Sequence, residues 1–317
     1  MREPKYNLKF IIGIAILLSL LVLLPLFLPS YYIGLFSLML IFAIFSMSLD
    51  ILQGYTGLPS LGHAAFLGIA AYIVGLLNVK VFKGCNFGIE LVAGILSAAI
   101  VACILGLIVL RSKDVYLLMI LLASSMMLWG IAFKWRSLTG GDDGLPGITR
   151  PDLSFIHWNL GNTIHFYYFV LLFFIVSGIL MYLIVNSSFG HILMGIRESE
   201  IRMQSLGYNT WLQKYIAFII SGIFAGISGI LLAYYNGFVS PSEFHLVTSA
   251  EGLIMVILGG VGTLIGPAIG AVIIILIKNF ISAYTEHWMI ILGLIYIFTV
   301  IFAPEGIYRI FKKLLER

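Results

Sequence analysis

Charged residues are what this chain has least of. They make up 10% of its 317 residues, where a soluble domain carries roughly 25%. That deficit excludes an ordinary water-facing surface, and a 61% hydrophobic content stands in its place. Cysteine is almost absent. Cys85 and Cys103 lie in or beside apolar segments and fit neither a disulfide framework nor a zinc site. No basic–aromatic patch accompanies the formal charge of +4, so nucleic acid is not an expected partner. The six histidines, His63, His157, His165, His191, His245 and His287, are scattered, with no pair at the His-Glu-x-x-His spacing of a zinc protease. No soluble domain, low-complexity tract or linker is visible.

What is present is apolar sequence in helix-length runs. A hydrocarbon core of ~30 Å needs ~20 apolar residues per helix. Ten runs approach that length, at approximately 10–28, 31–50, 63–79, 87–110, 115–134, 164–185, 213–236, 246–260, 264–282 and 287–303. Phe10–Leu28 and Ile164–Val185 do not alternate, which argues against barrel strands. The expectation is an all-α polytopic membrane protein: one transmembrane domain over 1–317, with its core at about 10–303. The first run is nineteen residues long behind Arg2, Lys5 and Lys9, longer than the ~7–15 of a signal peptide's apolar core, and so reads as a retained helix. With both termini inside, twelve Lys and Arg fall on the cytoplasmic side and six outside, in keeping with the positive-inside rule.

Two places break the helical pattern. Residues 50–63, Asp-Ile-Leu-Gln-Gly-Tyr-Thr-Gly-Leu-Pro-Ser-Leu-Gly-His, put glycines, a proline and hydroxyls where a membrane helix should continue. Irregular backbone survives at that depth only inside protein or along a polar cavity, and discontinuous helices often mark a solute route. Gly54, Tyr55, Thr56, Gly57, Ser60 and His63 are therefore candidate path residues, with His63 also placed to hydrogen-bond exposed backbone. The second place is 259–267, with Gly259, Gly260, Gly262, Thr263 and Pro267 as candidates and a helix break expected at Pro267. Gly262, Gly266 and Gly270 recur every four residues, which puts them on one helix face suited to close packing.

Glu251 lies inside the eighth run, where a carboxylate must face protein or water, either as a structural hydrogen-bonding group or as a candidate residue of the solute path. Lys278 is its candidate partner, or else snorkels outward from near its helix end. A proton relay would need more intramembrane carboxylates than the runs display, which argues against an ion-coupled carrier.

Two loops exceed a tight turn. The external one, 135–163, carries Asp142 and Asp143 in a glycine-rich stretch, suited to capping turns or to meeting a binding protein. The internal one, 186–212, contains Arg197, Glu198, Glu200 and Arg202 opening a short helix, an apolar side of Ile201, Met203 and Leu206, and Gly207 with Asn209 to stop it. Such an amphipathic helix lies on lipid or docks into a partner's groove. Its scarcity of lysine and bulky aromatics favours docking.

The segment Ile196–Gly207 resembles the coupling helix of ABC importer permeases. Gly54–Tyr72, Leu138–Ile148 and Ile257–Ala271 are similar to the motifs of branched-chain amino-acid permeases, in the order of the M-type subunit, over about residues 34–305. The chain departs from that pattern at Pro59, commonly polar, and at Arg202-Met203, commonly paired alanines. The resemblance implies a second homologous permease subunit, two ATPase subunits that bind ATP and Mg, an extracytoplasmic solute-binding protein and a place in the cytoplasmic membrane. It also implies that Arg197, Glu198, Glu200, Arg202 and Gly207 meet an ATPase. The residues agree in one respect: Gly190 and Gly195 have the first spacing of a phosphate-binding loop, but Ile196-Arg197 follow in place of Lys-Ser/Thr, so this chain has no nucleotide site and no cofactor of its own. Urea or short amides are an alternative cargo, and an ion-coupled secondary carrier is an alternative of another class.

Overall fold

A computed structural model describes residues 19–284 except 83, 85, 113 and 154–157, together with 290, 291, 293, 294, 296, 297, 306 and 307. The apolar runs fold as helices because a helix satisfies its own backbone where water is absent. In chain order these are α1 (Ser30–Asp50), α2 (Ala64–Leu76), α3 (Phe87–Val109), α4 (Asp114–Lys134), the short α5 (Arg136–Thr139), α6 (Thr163–Asn186), α7 (Ser188–Glu198), α8 (Glu200–Ser205), α9 (Thr210–Asn236), α10 (Leu246–Gly259) and α11 (Ile265–Ser282). Polar residues set the ends. Asn162 accepts a hydrogen bond from the Ile164 N–H and Asn209 one from the Leu212 N–H, capping α6 and α9. Gly237, at φ 69°, ends α9 in the left-handed conformation that glycine adopts without penalty.

Every residue of α1 from Met39 to Asp50 is buried, and α6, α9, α10 and α11 all pack on it. Helix α9 closes on α2 and α3 through small residues: Gly222 meets Ala102, Gly226 meets Ala98, and a β-carbon at Gly229 would lie 2.1 Å from the Leu67 carbonyl oxygen. Without a hydrophobic drive between helices in lipid, such close approach is what holds them. Val92, Leu96, Ile100 and Ile104 on α3, four residues apart, form an exposed apolar stripe. Leu172, Val176, Ile179 and Leu183 do the same on α6.

Among the described residues, seven helices are long and apolar enough to cross a membrane, and α10 is a shorter apolar helix. They correspond to eight of the ten runs. Helix α10 has 14 residues and spans only ~21 Å at 1.5 Å per residue, so it stops short of a full crossing. Run 287–303 and both termini lie largely outside the described residues, as does run 10–28 up to residue 18; its described part is helical to Leu23 and ends in a 3-10 turn, Leu24–Leu26.

The loop expected over 135–163 is tied down. Leu145–Pro146 (β1) pairs antiparallel with Phe238–Val239 (β4), which follows α9, and Asp152–Leu153 (β2) pairs with Trp158–Asn159 (β3). Beneath it the Glu90 carboxylate accepts hydrogen bonds from Asn78, the Asn86 N–H and Tyr234, while Asn78 accepts the Thr149 N–H. The Arg150 guanidinium lies 4.4 Å from the Phe166 ring centroid. At the opposite end of the bundle sit α7 and α8.

Candidate functional site

The two glycine-rich breaks meet. Helix α1 runs on through a π-helical turn, Ile51–Thr56, and stops at Gly57, whose φ is 76°. Helix resumes at Ala64, so the irregular backbone is 57–63, shorter than expected. Helices α10 and α11 form a hairpin whose tip is 260–264, with φ 122° at Gly260, 76° at Gly262 and 59° at Leu264. Leu264 is the only non-glycine with positive φ among the described residues, a conformation that needs outside support.

Asp50 supplies that support. Its Oδ1 accepts the Gly262 N–H at 2.7 Å and its Oδ2 accepts the Leu264 N–H at 3.0 Å. The carboxylate is fully buried, so these charge-assisted bonds offset the loss of water. Gly54 lies against the same tip: a β-carbon there would be 2.1 Å from Asp50 Oδ1 and 2.4 Å from the Gly262 nitrogen. From α7, Arg197 Nη1 donates to the Gly54 carbonyl oxygen, and its stem lies under Gly57. A carboxylate, a guanidinium and two glycines therefore join three elements that are far apart in sequence. Thr263 Oγ1 accepts the Gly266 N–H at 3.1 Å and donates to the Gly260 oxygen at 2.6 Å, while Ser46 donates to the Pro267 carbonyl at 2.9 Å.

Several expectations need correction. Pro267 does not break a helix; it sits in the first turn of α11, where a missing N–H is tolerated. Gly262 does not share a helix face with Gly266 and Gly270, because it lies in the tip. Gly266 and Gly270 do pack closely, against the Gly259 and Met255 carbonyls. His63 bonds no broken backbone: its Nε2 lies 2.9 Å from Ser48 Oγ, between the rings of Phe45 and Phe66. Ser60 is buried beside this region, Thr56 closes on the Ile51 oxygen, and Tyr55 is 7% exposed. The internal segment is two helices, not one, parted at Ser199, whose hydroxyl caps α8 by accepting the Arg202 N–H. Arg197 points at the broken helix. Glu200 pairs with Lys214 at 2.7 Å, and Met203 folds onto Gly195. Glu198, Arg202, Ile201, Leu206 and Gly207 remain exposed. Asp142 and Asp143 are exposed in a tight turn, Gly141–Asp143, at the other end.

Glu251 and Lys278 do pair, Nζ to Oε1 at 2.8 Å. They line a cavity of about 370 Å³ with Leu38, Phe42, Glu243 and Val247. Burial and the Glu251 charge push the Glu243 carboxyl up to about 7, against the pull of Lys278. Buried carboxylates are more numerous than the sequence suggested: Asp50 and Glu90 join Glu251. Each has bonded partners. Asp50 and Arg197 were the residues to find together. The available signal was an acid ending a long apolar run and a base in a loop, but nothing in the sequence paired them. Among the described residues, no three His, Cys, Asp or Glu side chains are grouped to hold a metal.

Seven membrane-length apolar helices packed around two interlocked breaks define a polytopic helical membrane protein. Residues 31–300 match the family described as "Branched-chain amino acid transport system / permease component". The chain belongs to that family of transport components. It is 29% identical over 293 residues to the high-affinity branched-chain amino acid transport system permease protein LivM of Escherichia coli (strain K12), covering 86% of this chain and 68% of that protein. The LivM of Salmonella typhimurium is also 29% identical, over 290 residues, covering 84% and 68%. The permease protein LivH of E. coli (strain K12) is 24% identical over 287 residues, covering 84% and 90%. No solved structure matches the chain.

Proposed function

We propose that this chain is a permease subunit of an ATP-driven importer for branched-chain or related hydrophobic amino acids, working in the cytoplasmic membrane with both termini inside. The family and the relatives' names support the cargo, and similarity to both LivM and LivH supports a second permease subunit. ATP and Mg are bound by two partner ATPases, and a solute-binding protein delivers cargo at the loop end, near Asp142 and Asp143.

The observation that carries the mechanism is the joint made by Arg197, Gly54, Asp50 and Gly262. Exposed Ile201, Leu206, Glu198 and Arg202 offer an ATPase an apolar patch edged with charge. One turn or so away, Arg197 grips the Gly54 carbonyl, and Asp50 carries the connection to the α10–α11 tip. Movement of α7 and α8 on ATP binding is thereby passed to both broken helices. Rocking them about 54–63 and 259–264 opens the path alternately to either side, the general scheme for discontinuous helices. Gly259, Gly260, Gly262 and Thr263 supply the mobile backbone, with Gly54 through Ser60 opposite.

The test is co-purification and transport. Expressed with its partner subunits, the chain retains ATPases in mild detergent, and Glu200→Arg with Gly207→Trp releases them. A chain that purifies alone and moves leucine under an ion gradient, without ATPases, overturns the reading in favour of a secondary carrier.

A further inference from the structure

The cavity beside Glu251 lies away from the joint. Glu251 is in the second turn of α10 and the tip follows its last turn, ~13 Å along the helix. Its wall has two parts. Leu38 and Phe42 of α1, Leu232 of α9 and Val247 of α10 are apolar, while Glu243, Glu251 and Lys278 are charged and His245, Asn236 and Thr248 add polar atoms. Two carboxylates face one ammonium, a surplus of one negative charge when all are ionised. Burying such a trio costs free energy that packing alone would avoid. Lys278 keeps a third of its side chain exposed, so a ligand carboxylate can approach the ammonium beside Glu251. A volume of about 370 Å³ is at the small end of small-molecule sites, suited to one amino acid and too small for a peptide of several residues.

We propose that this cavity is a binding site for a zwitterionic amino acid with an aliphatic side chain. Glu243 and Glu251 receive its ammonium, Lys278 its carboxylate, and Leu38, Phe42 and Val247 its side chain. The inference rests on the importer reading for its place on the transport route, but the binding chemistry stands on the cavity itself. It predicts rejection of ligands that carry only one of the two charges, and indifference to neutral amides such as urea.

The test uses the full chain in lipid nanodiscs, with binding of leucine, isoamylamine (the ammonium without the carboxylate) and isocaproate (the carboxylate without the ammonium). Leucine binds best. The isosteric Glu243→Gln weakens leucine and isoamylamine about tenfold, the loss expected for one charged hydrogen bond, and spares isocaproate. Lys278→Met leaves Glu251 unpaired and can impair folding, so the double variant Glu251→Gln/Lys278→Met removes both charges together; it weakens leucine and isocaproate at least as much. Absent leucine binding, unchanged leucine binding in both variants, or urea binding as well as leucine overturns the site. ATP-dependent uptake in the assembled transporter separates the two ideas. Normal uptake with an unchanged KM in both variants removes the site and leaves the importer standing. Charge-selective leucine binding by a wild-type chain that shows no ATP-dependent uptake removes the importer and leaves the site.

Discussion

The sharpest perturbation of the joint is a single methyl group. In Gly54→Ala the new β-carbon would stand 2.1 Å from Asp50 Oδ1, 2.4 Å from the Gly262 nitrogen and 2.7 Å from the Gly262 Cα. Carbon contacts are comfortable at ~3.5–4.0 Å, so the tip must withdraw by more than about 1 Å. Asp50 and Gly54 lie on one rigid helical stretch, so the hairpin tip is the part that yields. Withdrawal stretches the 2.7 Å and 3.0 Å bonds from Gly262 and Leu264 to Asp50. A hydrogen bond to a charged group contributes ~1.5–3 kcal/mol, so losing both costs about 3–6 kcal/mol, more than the ~1–3 kcal/mol of ordinary overpacking. Three kcal/mol already shifts the docked-to-undocked ratio by over about a hundredfold. The assay is uptake of labelled leucine by the reconstituted transporter, with ATP hydrolysis measured alongside. Uptake is expected to collapse while ATP hydrolysis persists, because the α7–α8 surface is untouched. Gly130→Ala is the control, since a β-carbon there meets nothing within 4 Å. Uptake and ATP-to-leucine ratio both unchanged in Gly54→Ala would refute the reasoning.

Other outcomes follow from the same contacts. Arg197→Ala removes the donor to the Gly54 carbonyl and should raise ATP hydrolysed per leucine imported, while co-purification of ATPases is retained; a release of the ATPases instead would assign Arg197 to the docking surface. Glu90→Ala removes the shared acceptor of the Asn78, Asn86 and Tyr234 donors and should cost about 2 kcal/mol, read as a lower melting temperature in detergent. For Glu243, a carboxyl raised to about 7 by burial is ionised above that pH and neutral below it. Lys278 of α11, Glu251 of α10 and His245 of its own segment also face or flank it. Leucine affinity should therefore fall as pH drops from about 8 to about 6, and Glu243→Gln should remove that slope; an equal slope in the variant would show that Glu243 is not the titrating group.

Length and apolarity alone decided that this chain spans a membrane many times. Water is absent from the bilayer core, so a run of that length has only the helix open to it. Glycine and proline marked both breaks for an equally local reason, since Gly57, Gly260 and Gly262 adopt positive φ that other residues resist. The pairing of Glu251 with Lys278 was only half legible: two charges in apolar runs can meet, but a lysine near a helix end can equally snorkel outward. The sequence could not say that the two breaks touch. Asp50 and Gly262 are 212 positions apart, and their contact depends on how α1 packs against the α10–α11 hairpin. Nor could it say that Arg197, on an amphipathic surface segment, turns inward to Gly54 while Ile201 and Leu206 turn out. Periodicity fixes which residues share a face, but only packing decides what that face meets. The cavity at Glu243 is likewise tertiary: its charges come from a loop and two helices, and its wall also draws on α1 and α9, which a linear reading keeps apart.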